Sequence, residues 1–189
     1  MSSVMRFDEW QDSNGVSLLD GSGGSITIPS GFMPAGSILQ VVSTTKSDTA
    51  STTTDSFSDI SGFNVSITPK FSTSKIFIVV SAMNGGDWWV TGGSIFKLVR
   101  NSTDLAVSSG ATVNSTFASH GYSIASGDTR AHLRMDSFNY LDSPATTSAL
   151  TYKIQWRLYS GAGSTNYLNR NWINAVGGSS TITAMEVAG

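Results

Sequence analysis

The chain has 189 residues, of which 33 are Ser, 20 Thr and 19 Gly, while Glu and Lys together supply seven. Ser and Thr compete with helical hydrogen bonds, Gly adds backbone entropy, and the usual surface helix formers are missing, so a helical bundle or coiled-coil shaft is disfavoured and strand and turn remain. The net charge is −2 and the eleven basic residues are scattered singly from Arg6 to Arg170, which leaves no basic stripe for nucleic acid.

With 39% hydrophobic residues and 19 aromatics, the chain is too apolar for a disordered Ser/Thr-rich segment. At this length a single core is the default, hiding roughly 70% of the unfolded surface. The absence of cysteine removes disulfides, thiolate metal sites and cysteine nucleophiles. Asp8 and Glu9 stand where the apolar part of a secretory signal should begin. The longest apolar run, Ile76-Phe77-Ile78-Val79-Val80, is far below the ~20 residues of a membrane helix. A soluble chain without membrane insertion is expected.

Residues 1–36 are rich in turn signals, among them Ser13-Asn14-Gly15 and Asp20-Gly21-Ser22-Gly23-Gly24. They also carry Phe7, Trp10, Leu18 and Leu19, large apolar groups that need cover. This is expected to be an extended N-terminal arm, packed either on its own body or on a neighbouring subunit. From residue 37 to 189 short strands recur between Gly, Asn, Asp and Ser, the spacing of an antiparallel β-sandwich. The expected strands are Ile38–Ser43, Ser56–Ile60, Asn64–Thr68, Lys75–Met83, Ser94–Arg100, Arg130–Tyr140, Leu150–Tyr159, Tyr167–Asn169 and Ser180–Val187.

Within Leu150–Tyr159, Leu150, Tyr152, Ile154, Trp156 and Leu158 alternate with mostly polar residues, which predicts one core face and one wet face. Ile76–Val80 is apolar on both parities, so Phe77 and Val79 need cover as well as their neighbours. A subunit interface over Phe77 and Val79 is the preferred expectation, and cover by the chain's own arm or loops is the alternative. Ser47–Asp55 reads as an exposed loop. The weakly patterned stretch from Ser108 to Asp128 is either a functional loop or a concealed strand.

Motifs for chemistry are nearly absent. Gly121-Tyr122-Ser123-Ile124-Ala125 lacks the closing Gly of a nucleophile elbow, and no Gly-Lys pair exists for a phosphate loop. His120 and His132 lack metal-ligand spacing. Glu9 and Glu186 lie at opposite ends of the chain, and the eleven Asp mostly flank turn residues. The expectation is therefore no enzyme, no catalytic residues, no metal and no cofactor. A ligand surface has better candidates. Trp88 and Trp89 follow Asp87 in a glycine-flanked turn, and Asn166, Tyr167, Arg170 and Trp172 form a second aromatic and polar cluster. Indole and phenol faces beside amides suit sugar rings, so a carbohydrate-binding module stays open, although adjacent residues in a strand point to opposite sides.

The phrases Gly36-Ser37-Ile38-Leu39-Gln40-Val41-Val42-Ser43-Thr44-Thr45-Lys46, Gly62-Phe63-Asn64-Val65-Ser66-Ile67-Thr68-Pro69 and Ser180-Thr181-Ile182-Thr183-Ala184-Met185-Glu186, with the turn Tyr140-Leu141-Asp142-Ser143-Pro144, resemble small structural proteins of tailed bacteriophages. The opening Val4-Met5-Arg6-Phe7-Asp8, with Asn14-Gly15 beyond it, is similar to the attachment segments that begin many phage fibre proteins. The resemblance implies a virion component, a homotrimer with a jelly roll of the complement and tumour-necrosis-factor type. It further implies that the arm docks on other virion proteins. A short tail fibre or fibre tip acting in host adhesion, with a host-surface glycan as a further partner, is the first expectation. A capsid decoration protein stabilising the head is the second. The chain departs from long fibres in having no heptad shaft.

Overall fold

The computed structural model describes residues 9–11, 15, 17–20, 33–87, 91–111, 113–122, 133–159 and 164–189; for residues 9, 10, 17–20, 91, 92 and 119–122 it describes the backbone. The described strands are β1 (Glu9–Gln11), β2 (Ser17–Asp20), β3 (Ile38–Lys46), β4 (Ala50–Thr52), β5 (Ser58–Ile67), β6 (Lys75–Asp87), β7 (Thr91–Arg100), β8 (Thr103–Leu105), β9 (Phe117–Tyr122), β10 (Leu133–Asp142), β11 (Leu150–Leu158), β12 (Thr165–Leu168) and β13 (Ser180–Val187). All pairings between them are antiparallel.

The chain is an all-β sandwich. Numbering the strands of six or more residues in chain order, one sheet runs first, eighth, third, sixth (β3-β13-β6-β10) and the other second, seventh, fourth, fifth (β5-β11-β7-β9). That is the winding of a jelly roll. Two short strands extend the sheets: β12, itself paired with β4, continues along the β6 edge beyond β13, and β8 continues along β7 beyond β9.

Period-two patterning places the core. In β11 the residues Leu150, Tyr152, Ile154, Trp156 and Leu158 are buried and the intervening ones are half-buried, as the alternation predicts. In β6, Ile76, Ile78, Val80 and Ala82 are fully buried against Phe63, Val65 and Ile67 of β5 and Phe96 and Leu98 of β7. Each of these side chains larger than Ala82 contributes about 1.5–3 kcal/mol when removed from water, so this double layer is the main stabilising feature. Where both sheets end, β9 and β10 are closed by a stack of rings: Phe117 lies 4.6 Å from Phe96 and 5.7 Å from Phe138.

Two sequence expectations are corrected, and one left open is resolved. Ser56–Ile60 and Asn64–Thr68 are one strand, β5, because Gly62 takes φ 74 and forms a bulge where a turn was expected. Asn64 faces Lys153 while Asp59 faces Gln155, so the extra residues loop out without ending the pairing. Ser47–Asp55 contains β4, whose Ser and Thr side chains gave no apolar signal but whose backbone pairs with β12. The ambiguous stretch after Ser108 contains β9, half of the pairing edge of β7. Within residues 1–36, β1 and β2 pair as a hairpin, with Gly15 at φ 78 between them.

The sandwich has two distinct ends. β3 starts at Ile38, paired with Val187 beside Lys75, and finishes at Lys46, paired with Ser180. Its nine residues span roughly 27 Å at about 3.4 Å per residue. Residues 33–37 therefore enter at one end, and the β3–β4 and β12–β13 connections lie at the other.

Candidate functional site

The first candidate is the outer face of the β3-β13-β6-β10 sheet. Strand register carries one row of side chains across four strands: Leu141 faces Phe77, Phe77 faces Met185, and Met185 faces Val41. Ile38 and Val187 flank this row at the arm end. Two further rows follow toward the far end, Asn139-Val79-Thr183-Ser43 and Ser137-Ser81-Thr181-Thr45. None of these side chains is charged. Ile38 is 59%, Val41 54% and Leu141 45% exposed, and Phe77 and Val79 are half-buried. Sequence reading found Phe77 and Val79 through their double parity. It missed Ile38, Val41, Leu141 and Met185, because only the register between strands brings them into the same row.

The second candidate is at the far end. Asn166 is buried, and its amide donates to the carbonyls of Arg157 (3.1 Å) and Gly93 (3.4 Å), so it holds strands together inside the protein. Arg170 lays its guanidinium over the Tyr167 ring at 3.9 Å and donates to the carbonyls of Asn171 (3.4 Å) and Trp172 (3.3 Å). Trp172 is half-buried in the same connection. Asn169 and Asn174 take φ 63 and 56, a conformation asparagine tolerates better than most residues. The Asn171 side-chain oxygen accepts from the backbone of Ala175 (2.9 Å) and Val176 (3.4 Å), which ties the connection to itself. Asn169 donates to the carbonyls of Lys46 and Asp48, both at 2.8 Å, tying it to the β3–β4 connection. Between these two connections lies an open cleft of about 270 Å³, lined by Ser47, Thr49, Asn169, Arg170, Asn174 and Ala175 to Gly178. Ser47, Thr49 and Asn174 carried no sequence signal in a chain so rich in such residues. Trp88 and Trp89 lie outside the described residues, as does Phe7; Trp10, Leu18 and Leu19 belong to β1 and β2, and the backbone of Trp10 is in register with that of Leu19.

Two interior polar networks have structural partners. Asp142 is buried and accepts from Arg100 Nη1 at 2.8 and 2.6 Å and from the Tyr152 hydroxyl at 2.7 Å. Burial and the neighbouring Asp142 carboxylate push the Tyr152 hydroxyl far above its ordinary pKa, so it stays protonated as a donor. Glu186 is fully buried; burial alone would raise its pKa, but hydrogen bonds outweigh it and hold the carboxyl below its usual range. The donors are Gln40 Nε2 at 2.5 Å and the backbone N–H groups of Lys70 (2.7 Å) and Phe71 (3.3 Å). Glu186 thereby fastens the β5–β6 connection to β13 and β3. His120 lies in β9, and His132 is outside the described residues. Among the described residues no group of three or more His, Cys, Asp or Glu is placed to hold a metal ion.

No protein-family model and no curated protein sequence matches the chain. Among solved structures, it is similar to a mutant VP2 protein of infectious bursal disease virus in derived T=1 particles, with 12% identity, a TM-score of 0.40 and 88% of this chain covered. The chain spans 39% of that protein's length.

Proposed function

We propose that the chain is a non-enzymatic structural subunit of a bacteriophage particle. It assembles as a homotrimer through the outer face of the β3-β13-β6-β10 sheet. Its N-terminal arm docks it on other virion proteins as a short tail fibre or fibre tip engaged in host adhesion. The observation that carries this reading is the set of three uncharged rows on the outer face, among them the apolar row Leu141-Phe77-Met185-Val41 crossing four strands, with Lys75 opposite Val187 at their arm-end margin. A monomer would leave that row in water, whereas a three-fold axis covers every copy of it with equivalent surface. Removing the apolar groups of that row from water favours such an association. The phage-like phrases of the sequence supply the particle, and the separation of the arm end from the far end supplies a direction.

Antibodies to the protein, imaged on particles by immunogold electron microscopy, test the location. Labelling of the tail tip is the expected result. Labelling over the head would replace the fibre with a capsid decoration role, and particles free of the protein would overturn the virion reading. A companion variant lacking residues 1–30 is expected to fold as a body that no longer joins particles; failure to fold would place the arm in the core.

A further inference from the structure

The far-end cleft presents polar groups that the protein holds in place without using them up. We propose that it binds an acidic saccharide, with the carboxylate of a uronic- or sialic-acid-type sugar on Arg170 and sugar hydroxyls on Ser47, Thr49 and Asn174. This names the ligand of the adhesion reading above and rests on it for biological meaning, while the cleft itself stands on geometry.

Arg170 has no carboxylate partner among the described residues, yet it is not loose. Its guanidinium lies over Tyr167 at 3.9 Å, and among the described residues Nη1 alone is hydrogen-bonded, at 3.3 and 3.4 Å, to backbone carbonyls. Guanidinium is the side chain whose planar fork matches a carboxylate, and one fixed by stacking loses little entropy on binding. No acidic residue lines the cleft. Asp48, which lies between Ser47 and Thr49, is already paired with Lys46 Nζ at 2.7 Å. That pairing, with the Lys46 hydrogen bond as its main part, lowers the Asp48 pKa and partly neutralises the charge beside the site.

The walls are rigid for connections of this kind. Asn169 bridges to Lys46 and Asp48, Ser180 donates to Asn169 at 2.7 Å, and Asn171 closes the loop on Ala175. A volume of about 270 Å³ accommodates one sugar ring with its carboxylate and is at the small end of ligand clefts. Tyr167 does not line the cleft and no aromatic residue does, so no stacking platform is offered to a neutral sugar, which favours an anionic one. The cleft also opens at the end opposite the entry of residues 33–37, the end a docked subunit turns outward.

Titration of the full chain with D-glucuronic acid, N-acetylneuraminic acid and glucose, followed by saturation-transfer NMR, tests the inference. At least one of the acids is expected to bind saturably and at least tenfold more tightly than glucose, and to weaken in high salt. Arg170→Gln is expected to lose that binding by at least tenfold. Asn174→Gly removes the amide at a position whose φ of 56 glycine accepts, and is expected to weaken binding several-fold with unchanged melting. Should Arg170→Gln disturb folding, Asn174→Gly decides. Equal binding of glucose and the acids, no saturable binding of either acid, or unchanged affinity in the folded variants would overturn the proposal. A trimer that binds none of these acids leaves the assembly reading standing, and a monomer that binds glucuronate does the reverse.

Discussion

The two outer faces of this sandwich are built from the same fold and opposite chemistry. On the β5-β11-β7 side, Lys153 reaches Asp59 at 2.8 Å, Gln155 reaches the same carboxylate at 2.7 Å, and Lys97 pairs with Asp104 at 2.5 Å. Lys97 also sits 4.4 Å from the Phe57 ring centre, with Arg157 at 5.9 Å. Charges there find their partners across strands, which is how a sheet face lives in water. On the β3-β13-β6-β10 side, the three rows described above contain no charge, and their largest groups are Phe77, Met185, Leu141 and Val41. Low overall charge is therefore unevenly distributed, and in the proposed assembly the charged face is the one left to solvent and the three uncharged rows are the ones a neighbouring copy covers.

The largest effect separates ion pairs inside the sandwich from those on the charged face. Asp142→Ala strands the Arg100 guanidinium and the Tyr152 hydroxyl, and a loss of about 3–5 kcal/mol in urea unfolding is expected. A loss below about 1 kcal/mol would mean that water reaches the network. Next, Phe77→Glu puts a charge into the uncharged face; association is expected to weaken by a hundredfold or more, roughly 3 kcal/mol, while the monomer stays folded by circular dichroism. An unchanged oligomer would remove this face from the interface.

Glu186→Gln is expected to cost about 1–2 kcal/mol at pH 7. The folded carboxyl lies below its ordinary value of 4.5, so its contribution is fully present above that value and is lost as pH falls through the lower folded one. The wild-type melting temperature should therefore fall more steeply than the variant's below about pH 4.5, and parallel curves would contradict the assignment. The smallest effect belongs to the solvent face. Asp59→Ala breaks a pair whose partner Lys153 lowers the Asp59 pKa in a half-exposed setting, and less than about 1 kcal/mol is expected in thermal melts, shrinking further in salt.

Much of the sandwich was legible because its core obeys period two. β11, β13 and the inner parity of β6 could be read directly, since a buried residue every second position is a local signal. Gly62 misled because a glycine marks a turn and a bulge alike, and only the partner strand tells which. β4 was hidden because it is only Ala50, Ser51 and Thr52 within a Ser/Thr-rich stretch, and β9 because it lies in a weakly patterned one. The outer face was half legible: Phe77 and Val79 declared themselves by breaking alternation, whereas Val41 and Met185 each look ordinary until register aligns them. In the far-end cluster, Arg170 does meet Tyr167 and Trp172, but Asn166 turns inward and the β3–β4 connection supplies the opposite wall of the cleft.

In the proposed trimer the three uncharged rows are buried between copies of the chain. Sedimentation equilibrium of the full-length protein at micromolar concentration tests it most directly. A mass three times the 19.9 kDa of one chain is expected, falling to that of a single chain in Phe77→Glu. A wild-type protein that sediments as a 19.9 kDa monomer over the whole concentration range would contradict it.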